Sequence, residues 1–267
     1  MRQHMSSLLF LVGVIIAGAS PAVLAQDPAP DRFGIKDNSF LVEEAFNQEA
    51  GIFQNIFVMT RSRDGVYDGS VTQEWPVLSM RHQFSFTMPF SAVSGHGAVG
   101  DLMLNYRFQM WDGEGRLPAF SPRLSVIVPT SATRRSMGGN DAGWQVNLPF
   151  SKAAGPVFFH WNAGTTLRHE EQRDGATGDW SNTPFVAGSA IGAITSMFNV
   201  VLESMVQWER TDLVRESSVT VSPGIRTGWN LGTKQVVVGV AVPVTWSDRR
   251  DLAVLGYFSY ELPFASK

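Results

Sequence analysis

The strongest constraint on this chain is a period of two. Between Gln83 and Phe90 the side chains Phe84, Phe86, Met88 and Phe90 alternate with Gln83, Ser85, Thr87 and Pro89. Leu102, Leu104, Tyr106, Phe108 and Met110 alternate in the same way with Asp101, Met103, Asn105, Arg107 and Gln109. Trp144–Phe150 and Val236–Trp246 repeat the pattern. Successive side chains of an extended strand point to opposite faces, so each stretch predicts a strand of about ten residues with one greasy and one polar face. The stretch Leu255–Phe264 carries it too, with Phe258, Tyr260, Leu262 and Phe264 on one face and Tyr257, Ser259 and Glu261 on the other.

Turns read from clusters of Gly, Asp, Asn, Ser and Pro divide residues 51–264 into candidate strands 51–60, 66–75, 80–90, 99–111, 121–130, 143–151, 156–167, 182–195, 199–210, 218–231, 235–246 and 252–264. That is about twelve, an even number. Pro89, Pro129, Pro149, Pro243 and Pro263 fall near strand ends, where a missing ladder donor costs least. Ahead of the strands, Arg2 and His4 precede an apolar run from Leu8 to Ile16, and small residues lead to Ala25. This is the layout of a secretory signal peptide over residues 1–25, cut near Ala25, and the run is too short to span a bilayer. Residues 26–50 form an N-terminal segment in which Ser39 is placed to cap a short helix over Ser39–Glu49.

Alternation alone does not separate a soluble barrel from a membrane barrel turned inside out. Three features decide. The only lysines are Lys36, Lys152, Lys234 and Lys267, and the polar faces consist mostly of Gln, Asn, Ser, Thr and Gly, which suit a lumen better than open water. If the strands run up and down with both termini in the periplasm, Trp75, Trp111 and Trp229 sit at lower strand ends and Trp144, Trp208 and Trp246 at upper ends. Those positions match the two aromatic girdles of a membrane barrel. The same assignment makes Pro76–Ser79, Lys152–Gly155, Ser196–Phe198 and Gly232–Lys234 short periplasmic connections and leaves Ser131–Ala142 and Arg168–Ser181 outside, with Asp112–Phe120 a long exception below. The expected fold is all-β, a transmembrane antiparallel up-and-down barrel with a short helical or plug-like segment in front of it. Its partners would be outer-membrane lipid and lipopolysaccharide.

Several stretches are also familiar: Asp37–Glu49, Thr72–Pro76, Gly100–Arg107, Pro122–Thr130, Gln145–Pro149 and His160–Gly164. They resemble the outer-membrane transporter family associated with the meta-pathway of phenol degradation. The resemblance covers roughly Asp37 to Phe264 and rests on scaffold motifs. It implies a Gram-negative outer-membrane barrel that passes small, hydrophobic or aromatic molecules, and it supplies no solute-contacting residue. The final strand, with its near-terminal Phe264 followed by Ala265, Ser266 and Lys267, also resembles the signal read by the barrel-assembly machinery.

Parity projects Glu74, Asp101, Arg107, Arg123, Glu203, Glu209, Arg226 and Glu261 inward, with His160 and Asn162 among them. Such charges belong in a wet or paired lumen, because an Arg facing lipid at the midplane costs roughly 2–4 kcal/mol. They either orient a polar solute or form a salt-bridge network that fills a narrow barrel. If residues 39–49 fold inward as a plug, Glu43, Glu44 and Glu49 become partners for Arg107, Arg123 and Arg226.

Other classes are disfavoured. A charge of −3 without a basic stripe argues against nucleic acid, and the absence of cysteine removes thiol catalysis and cysteine-ligated zinc. Outer-membrane phospholipases place their serine in a His-x-Ser-Asn-Gly pattern, whereas His160-Trp-Asn-Ala-Gly164 has asparagine there, leaving only a distant Ser for His82, His96 or His169. Arg168–Asp174 reads as a solvated mixed-charge loop, so no metal and no cofactor is expected. The expected function is passive transport of small solutes; the alternative is a largely closed barrel with a structural or surface-interaction role.

Overall fold

The computed structural model describes residues 33–35, 37–130, 142–170, 179–210, 215–232 and 234–264. The expected signal peptide, and most of the two connections expected to be long, lie outside these residues.

Among the described residues, twelve antiparallel strands form a closed barrel. They are β1 (Ile52–Ser62), β2 (Tyr67–Val77), β3 (Ser79–Val93), β4 (His96–Val99, Leu102–Phe108 and Trp111–Asp112), β5 (Ala119–Phe120 and Arg123–Val128), β6 (Gly143–Ala154), β7 (Val157–Glu170), β8 (Asp179–Thr195), β9 (Phe198–Arg210), β10 (Arg215–Leu231), β11 (Lys234–Ala241 and Val244–Trp246) and β12 (Arg250–Pro263). Each pairs with the next, and β12 pairs with β1 in a register that sets Phe258 opposite Phe57 and Glu261 opposite Gln54. The ring is closed, so no strand edge offers unpaired backbone groups to lipid. The interruptions have local causes. Pro122 and Pro243 have no N–H to give, which breaks the ladder of β5 and β11. In β4 the Gly100 N–H bonds to the Pro89 carbonyl at 2.8 Å, and a Cβ at Gly100 would lie 2.9 Å from the Pro89 ring.

The expected long connection Asp112–Phe120 is shorter than the sequence suggested. Trp111 pairs with Phe120 and Asp112 with Ala119, which reduces the turn to residues 113–118. Lys152 Nζ donates to the carbonyls of Gly113 at 3.0 Å, Gly115 at 2.5 Å and Leu117 at 2.8 Å, replacing the backbone bonds that a tight hairpin would make.

The two faces divide as the alternation requires. Gln83, Ser85, Asn105 and Arg107 are buried inside, while Phe57, Val71, Tyr106, Val146 and Phe258 are exposed on the outer face. An apolar band of that kind around the whole circumference is far larger than a water-soluble monomer leaves open. Among the described residues no helix is long and apolar enough to cross a membrane, so strands would have to do so.

The short helix expected over Ser39–Glu49 does not form: residues 37–50 are bends and irregular chain. A helix would satisfy its own N–H groups, but here most of those bonded are taken by side chains that the barrel turns inward, as described next, while Glu44 N–H bonds to Asn38 Oδ1 of the segment itself at 3.0 Å.

Candidate functional site

The barrel interior is polar, and the chain ahead of β1 is bonded to it. Two seats hold this segment. In the first, Asp37 accepts hydrogen bonds from Gln54 Nε2 at 2.8 Å, Tyr257 Oη at 2.5 Å and the Ser259 hydroxyl. Arg226 donates to the carbonyls of Asp37 at 3.0 Å and Asn38 at 2.7 Å, and through Nε to Asn199 at 3.2 Å. Glu203 Oε1 accepts the N–H groups of Leu41 at 2.8 Å and Val42 at 3.1 Å. The Phe40 ring lies against Gly224 and Gly239, where a Cβ would come within 2.6 Å and 2.4 Å of ring carbons, and 5.5 Å from the Tyr257 ring. Only glycine leaves room for the ring.

In the second seat, Asn162 accepts the N–H of Glu43 at 2.9 Å and donates to its carbonyl at 3.0 Å. The Glu43 carboxylate meets Arg123 at 2.8 Å. Arg107 donates to the carbonyls of Glu44 at 3.0 Å and Phe46 at 2.7 Å and lies 3.7 Å from the Glu74 carboxylate. Ser151 accepts the N–H of Ala45 at 2.8 Å and shares a 2.7 Å bond with His160 Nδ1. Gln109 and Ser121 donate to the Ala45 carbonyl at 2.7 and 2.9 Å. Gln83 accepts the N–H of Gln48 at 2.8 Å and donates to Glu74 at 2.7 Å. A neutral hydrogen bond contributes about 1 kcal/mol net, and a buried group left without one loses more than that.

Of the expected pairing of three glutamates with three arginines, Glu43 meets Arg123. Arg107 lies beside Glu74 from a strand two places away, and both Arg107 and Arg226 bind peptide carbonyls. Guanidinium groups suit carbonyls here because their planar array of donors reaches two peptide units at once. Glu44, Glu49 and Glu261 line a cavity of about 560 Å³ at the end of the barrel where the short turns lie, together with Phe33, Phe46 and Phe158. Asp101 is buried and accepts from Arg168 at 3.0 Å, while Glu209 is exposed at the far end of β9. The serine beside a histidine is Ser151, bonded to His160; His82 bonds Tyr106 at 2.6 Å. Among the described residues no carboxylate completes a triad on His160, whose Nε2 has no partner, and none cluster as metal ligands.

The sequence reading missed Asp37, Gln54, Gln83, Gln109, Ser151 and Asn199. Inward parity was available for the strand residues, but neutral side chains carried no charge to mark them. Asp37 precedes the alternating region and had no parity at all.

A closed barrel with a lipid-facing apolar band, tryptophans near its ends and a polar interior defines a transmembrane β-barrel of the outer-membrane type. No protein-family model matches the sequence, and no curated protein matches it. Among solved structures the chain is similar to the COG4313 outer membrane channel from Pseudomonas putida F1, with a TM-score of 0.56 and 11% identity over 81% of this chain and 97% of that one. A looser likeness, at a TM-score of 0.49 and 7% identity, is to the KdgM porin, over 79% of this chain and 99% of that one. The first likeness is one of fold.

Proposed function

We propose that this chain is a passive outer-membrane channel for small molecules, closed at rest by its own residues 33–50. The observation that carries the reading is the way the segment is held: lumen side chains from strands all round the barrel bind its backbone, as the two-way bond between Asn162 and Glu43 illustrates. Eight-stranded barrels are filled by their own side chains, whereas 16–18 strands leave an aqueous channel. Twelve strands lie between, with room for one extended chain. Here that room holds a polar segment whose bonds water can replace.

On this reading the short-turn end faces the periplasm, a signal peptide cut near Ala25 exports the chain, and the assembly machinery inserts it into a Gram-negative outer membrane beside lipopolysaccharide. Asp101, Arg123, Arg168 and Glu209 line the outer part of the path, and Glu44, Glu49 and Glu261 line the inner vestibule. Membership of the phenol meta-pathway transporter family, and with it a hydrophobic or aromatic solute, belongs to the same proposal. The competing reading, a closed structural or surface-interaction barrel, draws on the same occlusion. Planar-bilayer recording separates them. Deleting residues 33–49 is expected to raise single-channel conductance several-fold; a folded barrel with conductance no higher than the intact protein's removes the plug and leaves the closed barrel.

A further inference from the structure

The groups that hold residues 37–48 mostly read features that every peptide has. Glu203 takes two successive N–H groups and Arg226 two successive carbonyls. Asn162 pairs with one peptide residue in both directions, as a neighbouring strand would. Two side chains are read closely as well: the Asp37 carboxylate by Tyr257, Ser259 and Gln54, and the Phe40 ring by the space at Gly224 and Gly239. The belt also has unused capacity, since Glu203 Oε2 and His160 Nε2 are buried without a partner.

We propose that this belt is a peptide-binding site in its own right, able to take a short peptide from solution in the bent path of residues 37–48 once residues 33–50 leave it, with preference for an acidic residue followed three positions later by an aromatic one. The ligand class follows from the chemistry. A sugar or a simple aromatic does not present a series of peptide donors and acceptors, whereas the belt sets acceptors such as Glu203 and donors such as Arg226 and Arg107 along the bent path of residues 37–48. Main-chain bonds give affinity in such sites, and pockets for particular side chains give selectivity. The proposal rests on the reading that the segment occupies the lumen as a removable closure.

The test uses the barrel lacking residues 33–49, with folding checked by its heat-dependent gel mobility, and a labelled synthetic peptide of residues 33–50. Saturable binding is expected. N-methylation of the peptide at Val42 or Glu43 removes one backbone donor and is expected to weaken binding about tenfold. An alanine-rich peptide keeping only Asp and Phe at that spacing is expected to compete, and the same peptide with those two residues exchanged to fail. Absence of saturable binding to folded barrel, or N-methylated peptides that bind as well as the parent, overturns the proposal. Should the deleted barrel not fold, a protease site inserted between Ala50 and Gly51 lets the segment be cut after folding; labelled peptide is then expected to exchange in, and no exchange overturns the proposal. The binding curve decides the peptide site even if the emptied barrel carries no current, in which case only the transport reading fails.

Discussion

The two seats of the N-terminal segment share buried polar bonds but differ in the apolar contact added to them. Residues 35–42 lie against β8–β12 and β1, where Ile35 and Phe40 join Ile191, Val201, Val237, Leu255 and Tyr257 in a small apolar cluster inside an otherwise polar lumen. Residues 43–48 lie mainly against β3–β7 and are held by hydrogen bonds, the Glu43–Arg123 ion pair and a ring contact of Phe46 with Phe158 at 5.9 Å. Apolar contact is non-directional and tolerates small shifts, whereas each polar bond weakens steeply with distance and angle and can be exchanged for water. The first seat, with its apolar cluster beside its polar bonds, can serve as an anchor and the second as a latch. On the proposed reading, a closure that opens at the latch while staying anchored can re-form without a search for its site.

The largest effect should come from the anchor. Phe40 is buried, and Phe40→Ala is expected to weaken the seat by about 3 kcal/mol or more, from lost burial and the cavity left behind. Hydrogen exchange at the Leu41 and Val42 amides would rise accordingly, and bilayer recordings would show frequent long openings. Gly239→Ala tests the same contact from the barrel side, since the new Cβ would stand 2.4 Å from Phe40 Cε1. If either change leaves exchange at those amides untouched, the anchor does not exist.

Next comes Glu203, which is fully buried and serves two backbone donors. Glu203→Ala leaves both without a partner and is expected to cost about 2 kcal/mol, while Glu203→Gln keeps an acceptor oxygen and should cost much less. The contrast between the two variants, read as exchange rates at Leu41 and Val42, separates loss of an acceptor from loss of charge. Asn162→Ala acts on the latch and should raise exchange at Glu43 alone. Exchange spreading back to Leu41 after Asn162→Ala would show that the halves release together, and the division would fall.

What the sequence disclosed follows the same divide between local and distant causes. Strands were legible because alternation is a local property: the faces of β3, β4, β6, β11 and β12 follow directly from residues two apart, as Phe84 with Phe86 and Gln83 with Ser85 show. The segment was not legible. Ser39 and the acids after it look like a helix start, and nothing nearby reveals that Glu203, more than a hundred residues on, accepts the Leu41 and Val42 N–H groups. The pairing of Arg107 with Glu74 was hidden for a similar reason, since β3 lies between their strands and only the closed cylinder brings them within 3.7 Å. Neutral groups such as Gln109 and Ser151 gain their roles entirely from the chain they touch.

The smallest expected effect concerns the ion pair between Glu43 of the segment and Arg123 of the barrel. Arg123 meets Glu43 at 2.8 Å, with side-chain exposures of 11% and 29%, and it also donates to Asn105 at 2.8 Å and Gln145 at 2.5 Å. Those neutral partners would keep Arg123 in place without Glu43, so the pair adds less than a fully buried one would. Its partial exposure brings it nearer to the surface range, about 1 kcal/mol or below. A double-mutant cycle with Arg123→Gln and Glu43→Gln, read by exchange at the Glu43 and Ala45 amides, should return a coupling of about that size that shrinks as salt is raised. Coupling that ignores salt would mean that water does not reach the latch, and the second seat would then have to be treated as an anchor like the first.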